Sequence, residues 1–509
     1  MTIANSHPPP SCKKLEDGYN KTWIRLIIEE SRNPVSLNHQ EGFMPTPKTI
    51  LDKIWDAHLV QSADGAVPLV YIDYQLLTEV AGPQAFERLR SDGRDIWRPD
   101  RTIATIDRNV SAKAAKTPEV EKQIQSLVDN CREKCIGCFG IGNVNQGLIY
   151  VVAPEQGIVQ PGMTIVSGAL HASTCGALGA LALEVNAKES ECVLAAQSMP
   201  MVKPKLMEIR VNGALPPGSS AKDLAMAVIS KAFDLMRQDE LLDQYVIEYT
   251  GEAIRSLNMT GRLTLCNMTS YSGALSAIIA PDELTFKYLK GRPHCPMLGR
   301  EFDAAVTKWK SFRSDDGCAY DKTIQIDASE IKPTVSWGIA PGFSLSIDDF
   351  IPLTDEHLND FYHHLTHKAL KFMGFSPLWN MTDITVDCAF IGSSAGGRLG
   401  DLRAAAKVVK GYKCNPNVTA VVSPGSGIVK MKAEAAGLDK IFLDAGFRWG
   451  EPGSSNIELE DAPTNGICAS TSSEFQICSG VRTCLVSPAM AAAAAITGKF
   501  TDIRNWEYR

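Results

Sequence analysis

A chain of 509 residues, 44% hydrophobic and 21% charged, has the make-up of a soluble α/β protein and is too long for one ordinary core, so about two to four domains are expected. Its net charge of -7 gives no basic surface for nucleic acid, and no uninterrupted apolar run reaches the roughly 20 residues needed to cross a bilayer. Fourteen cysteines scattered through apparent core segments, such as Leu265-Cys266-Asn267 and Asp387-Cys388-Ala389, do not make a disulfide framework.

The first 45 residues are polar and proline-rich around one amphipathic stretch at 23–28 (WIRLII). They read as an N-terminal extension carrying one helix, and their acids do not suit a secretory signal or a transit peptide. A reducing cytoplasmic location is the expectation. From Thr49 the pattern becomes regular. Short apolar runs at 67–72 (VPLVYI), 102–106, 147–152, 164–166, 383–391 and 418–422 read as buried strands. Helical stretches at 177–185, 221–236, 402–409 and the alanine-rich 488–496 alternate with them. Such alternation predicts parallel sheets covered on both faces. Proline-containing breaks near 200–205 and 332–334 suggest three α/β/α units over 46–206, 207–335 and 336–509.

Three local patterns resemble metal or anion sites. Cys131, Cys135 and Cys138 have a spacing that would suit a cluster, but they end a helical stretch beside an apolar run and read as free thiols. His363 and His367 would share a helical face with no further ligand identifiable by spacing, so they read as a solvated surface; His171 and Cys175 make at most half a site. The glycine-rich segments 392–400 and 424–427 lack a phosphate-loop lysine and read as close turns, the first suited to binding a carboxylate.

Several stretches taken together are similar to the large subunit of 3-isopropylmalate dehydratase and, more distantly, to aconitase. They are PEQG at 154–157 with PGMTIV at 161–166, GEAIRSL at 251–257 running on to LCNM at 265–268, IAPDE at 279–283, FIGS at 390–393, and LVSPAM at 485–490. The resemblance implies three α/β/α domains of the aconitase large-subunit type. It also implies a cleft closed by a fourth, swivelling domain. That swivel domain is absent from the expected architecture here, so a separate small subunit or self-association is the anticipated partner relationship.

The family's chemistry removes and re-adds water on hydroxy acids, with a [4Fe-4S] cluster held by three cysteines. By the resemblance, the ligand positions fall here on Ser394, Ser454 and Ile457, none of them a thiolate. The family's Asp-His pair reads Asp107-Arg108, its Asp-Ser-His motif reads Ala169-Leu170-His171, its glutamate aligns with Tyr271, and its twin-arginine loop is shortened to 472–478. No cofactor and no metal are therefore expected.

What remains is a different polar set. His171, Asp107 and Tyr271 are the catalytic candidates: the first two move protons, and the third donates to developing oxyanion charge. Arg108 and Arg398 are expected to hold an anionic group, with Asn267, Ser394 and Ser454 completing substrate binding. The function expected is an acid–base lyase, isomerase or cyclisation step, without a cluster, on a small carboxylated or carbonyl-bearing metabolite of a specialised biosynthetic pathway. Two alternatives stand beside it: a non-catalytic pseudoenzyme acting as a regulatory or complex-forming subunit, and an iron–sulfur hydro-lyase of the isopropylmalate dehydratase type.

Overall fold

Three parallel sheets follow one another along the chain, and all are wound the same way. The computed structural model describes residues 46–61, 65–107, 117–236, 241–353, 360–453, 463, 465–472 and 481–509. The expected extension at 1–45, and Arg108, Ser454 and Ile457, lie outside the described residues. In the first sheet the strands run in the order Gly137–Phe139, Thr102–Thr105, Tyr74–Thr78, Thr164–Ser167, Leu181–Glu184. The second runs Ser276–Ile279, Tyr245–Thr250, Lys205–Asn212, Lys322–Asp327, and the third Arg448–Trp449, Thr419–Val422, Cys388–Ile391, Ile467–Ser470, Arg482–Leu485. In each, the chain starts centrally, winds out to one edge, then returns to the other side of its first strand. That reversal opens a crevice at the carboxyl ends of the strands, where α/β proteins place ligands.

One continuous apolar core joins the first two sheets through residues such as Leu76, Ile165, Ala177, Met207, Ile247 and Leu265. A second core under the third sheet includes Ala389, Leu402, Phe442 and Ala493. The alanines of the helix Pro488–Thr497 let it lie close against the helix Leu399–Val409 and the strand Cys388–Ile391. Lys48–Arg509 form one compact unit. No helix among the described residues is long and apolar enough to cross a membrane.

The structure corrects several expected elements. Residues 147–152 are not a strand: the helix Ile149–Gln156 begins there and stops at Gly157, in left-handed backbone. Every residue from Ile149 to Pro154 is buried, and an apolar run this short has no polar face to reveal its period. Residues 177–185 are not one helix. A 3-10 turn, Ala172–Leu178, ends at left-handed Gly179, and the strand Leu181–Glu184 follows. Gly176 is required inside that turn because a Cβ would sit 1.7 Å from the Ala277 carbonyl oxygen. The expected strand at 67–72 shrinks to Leu69–Tyr71, in a small antiparallel sheet with Leu59–Gln61 and Ser198–Pro200. That at 383–391 shrinks to Cys388–Ile391 after a 3-10 turn, Met381–Asp383. The second sheet is not covered on both faces along its edge, since alternate residues of Lys322–Asp327 are exposed.

Candidate functional site

His171 sits at the carboxyl end of the first sheet, on the loop that leaves the strand Thr164–Ser167. That loop is fixed by its backbone: Ser167 Oγ donates to the Leu76 carbonyl at 3.0 Å, and the Tyr150 hydroxyl donates to the Ala169 carbonyl. The His171 N–H donates to the Glu184 carboxylate at 2.5 Å, and the Thr174 hydroxyl donates to the His171 carbonyl at 2.7 Å. These bonds hold His171 at φ +75°, a left-handed conformation that costs a residue with a Cβ about 1–2 kcal/mol. Strain of this kind persists only where surrounding structure fixes it, as at working sites.

The imidazole is aimed by the second sheet's layer. Asn258 caps the helix Met259–Met268, which packs on the turn Ala172–Leu178 and runs into a 3-10 turn, Thr269–Ser272. Ser270 Oγ lies 2.5 Å from His171 Nδ1 and donates its single proton to the Asn267 carbonyl at 3.1 Å. With its proton on that carbonyl, Ser270 accepts from the ring, and the imidazole proton is then on Nδ1. Nε2 is left with its lone pair facing the Tyr271 hydroxyl, 3.4 Å away. The bond is long, as acid–base contacts often are before a substrate tightens them.

Asn267, almost fully buried, spends both amide protons on oxygen: 2.8 Å to Thr174 Oγ1 and 3.0 Å to Ser394 Oγ. Ser394 follows the strand Cys388–Ile391, next to Ser393 at φ +67°. Its loop is clasped to Thr471, whose hydroxyl accepts from the Gly392 N–H at 2.9 Å. Gly396 permits this, because a Cβ there would lie 2.3 Å from Thr471 Oγ1.

The third contributor was not anticipated from the sequence. Lys222, in the first turn of the helix Ala221–Met236, is 1% exposed and its Nζ donates to the Thr471 carbonyl. Burial pulls the amine down to about 7, against the opposing pull of the Asp401 and Asp223 carboxylates, with Arg398 adding to the fall. Burial likewise pushes Asp401 and Asp223 up to about 6. Asp223 accepts from the Ser220 N–H and hydroxyl and from the Thr334 N–H, so it is held in the helix start. The available signal was position: Lys222 shares a helical face with Ala225, Met226 and Ile229, all buried.

His171, Lys222, Asn267, Tyr271, Ser394 and Thr471 thus line one tight cavity of about 10 Å³. Four of the sequence-predicted residues, His171, Tyr271, Asn267 and Ser394, come together there. Asp107 and Arg398 are buried but do not line it. The Asp107 N–H donates to Glu79 at 2.8 Å. Arg398 is turned into the interior, where its guanidinium donates to the Tyr150 carbonyl at 3.4 Å and burial lowers its pKa despite Asp401 nearby. A larger open cleft of about 750 Å³ lies over the second sheet, lined by Glu208, Arg210, Glu248 and Arg255 among others, and holds none of the predicted residues.

The cluster implied by the resemblance can be tested against these donors. Ser394 offers a hydroxyl already engaged by the Asn267 amide, and no described residue lining the cavity is a cysteine. Iron–sulfur clusters are held by thiolates, so the described donor set does not fit one. Cys175, four residues after His171, is fully buried as a thiol pushed up to about 12 and lies outside the lining. No group of three histidine, cysteine or acidic side chains among the described residues could hold a metal ion.

Three sheets wound alike, with a polar cavity at the carboxyl ends of the first and third, agree with the comparison to known families. Residues 52–498 match the family model described as Aconitase family (aconitate hydratase), and the chain belongs to that family.

Proposed function

We propose that this chain catalyses an acid–base lyase, isomerase or cyclisation step, independent of an iron–sulfur cluster, on a small carboxylated or carbonyl-bearing metabolite in a specialised cytoplasmic biosynthetic pathway. Family membership supports the broader class of hydro-lyase and isomerase chemistry. The observation that carries the narrower reading is the Asn267–Ser270–His171 chain of contacts, which aims Nε2 at the Tyr271 hydroxyl. His171 takes a proton from carbon or oxygen of the substrate, and Tyr271 donates to the oxygen on which charge develops. The Ser394 hydroxyl and the Lys222 amine supply further polar contacts. By the family resemblance Asp107 stays proposed for proton transfer and Arg108, Arg398 and Ser454 for substrate binding, although Asp107 and Arg398 do not line this cavity.

The test is anaerobic purification with iron and sulfide analysis, followed by turnover of a panel of 2-hydroxy- and 2-oxo-carboxylates by wild type and His171→Asn. Iron-free protein with turnover that falls at least about 100-fold in the variant supports the reading; activity that tracks iron, or is indifferent to His171, overturns it. The tightness of the cavity favours a second reading, a non-catalytic complex-forming subunit, for which no panel member would be turned over.

A further inference from the structure

We infer that Lys222 is an imine-forming amine, whose ligand is a small aldehyde or ketone entering the cavity it shares with His171, Tyr271, Asn267 and Ser394. The inference rests on the reading of that cavity as a reaction site and names the group that would hold the substrate there.

An ammonium ion has three protons to place, and when buried it needs acceptors for all of them. Among the described residues, Nζ of Lys222 has one hydrogen-bond acceptor, the Thr471 carbonyl. The charged groups acting on it are Asp401, Asp223 and Arg398, and the carboxylates nearest in sequence and space are already engaged by backbone N–H groups of Ser220, Thr334 and Arg398. A neutral amine suits this setting: one N–H serves Thr471, and the lone pair is left for an electrophile. The depression of the amine to about 7 by burial agrees with that geometry. Lysine serving only to tie the helix start to the Thr471 loop would gain nothing from lining a cavity beside a histidine and a tyrosine.

In the reaction, the Nζ lone pair attacks the carbonyl carbon and the C=O π pair moves to oxygen. Tyr271 protonates that oxygen while His171 Nε2 removes one proton from nitrogen, giving a neutral carbinolamine. A second protonation releases the oxygen as water and leaves an iminium ion, so one carbonyl and one proton are consumed and one water is formed, with no change in oxidation state. The iminium then withdraws electrons from the neighbouring C–H or C–C bond, an electron sink supplied by the chain's own side chain.

The experiment treats the full chain at pH 7 with formaldehyde, glyoxylate or pyruvate in the presence of cyanoborohydride, which reduces the iminium to a stable secondary amine, and maps the modified peptides by mass. Lys222 is expected to label at least about tenfold faster than exposed Lys48, Lys203 and Lys310 with formaldehyde and with at least one oxo acid. Lys222→Arg should lose that label and keep the surface labels. Labelling of Lys222 no faster than the exposed lysines with all three reagents overturns the inference. His171→Asn separates it from the broader proposal: slowed labelling supports both, whereas unchanged fast labelling of Lys222 upholds the imine and counts against the proton-transfer role of His171.

Discussion

Nε2 of His171 faces the hydroxyl of Tyr271 at 3.4 Å, with the two ring centroids 5.0 Å apart and tilted by 59°. The pair is assembled from different layers, His171 from a strand end of the first sheet and Tyr271 from the turn after a helix of the second. Tyr271→Phe keeps the ring contact and removes only the proton donor. It should lower kcat by about 100-fold with KM little changed, and the unfolding midpoint in urea should stay close to that of wild type. Steady-state kinetics beside urea unfolding checks this.

Buried charge at Lys222 makes stability depend on pH in a defined direction. The folded amine is lowered to about 7 from 10.5, so between those values the unfolded chain holds a proton that the folded chain has lost. Stability from this group therefore rises with pH across that window. Asp223 and Asp401 have the opposite sign: raised to about 6 from 3.8, they favour the protonated folded state, and their contribution falls as pH rises from about 4 to 6. Lys222→Met removes the amine and should stabilise by about 1–4 kcal/mol at pH 6.5, with a smaller gain at pH 9.5. Thermal unfolding at the two pH values measures the difference.

Asn267 bonds to Thr174 and Ser394 from one side chain, spanning all three sheet layers. Asn267→Ala removes the donor to both hydroxyls, leaving Thr174 its bond to the His171 carbonyl, and should cost about 1–3 kcal/mol in urea unfolding. Ser394→Ala leaves the amide its bond to Thr174 and should cost about 1 kcal/mol or less.

Close approach of backbones gives a sharper stability test. Gly176→Ala places a methyl 1.7 Å from the Ala277 carbonyl oxygen, which cannot move without breaking the strand Ser276–Ile279. The variant should lose more than about 4 kcal/mol and fail to accumulate as soluble protein. Gly140→Ala, where nothing lies within 4 Å, should stay within about 0.5 kcal/mol of wild type.

How far the sequence discloses this structure depends on how much pattern each segment carries. The helix Ala221–Met236 was legible end to end because its apolar face repeats over several turns. Residues 147–152 were not, since a fully buried run has no polar positions from which to read a period. In the cavity, His171, Asn267, Tyr271 and Ser394 were reachable through the family resemblance. Lys222 belongs to no motif quoted for that family and shows itself only as a cation on an apolar face. The inward turn of Arg398 depends on the long-range contact with Tyr150, 248 residues away in sequence, which local pattern does not encode.

The left-handed backbone at His171 has a consequence for variation at this position. Glycine would relieve the conformation without strain, and glycine is what stands at the matching φ of Gly179, at the other end of the same turn. A ring is kept at one end where its absence would make the chain easier to fold. The position is therefore one where a library selected for stability alone should drift toward glycine, and one selected for turnover should not.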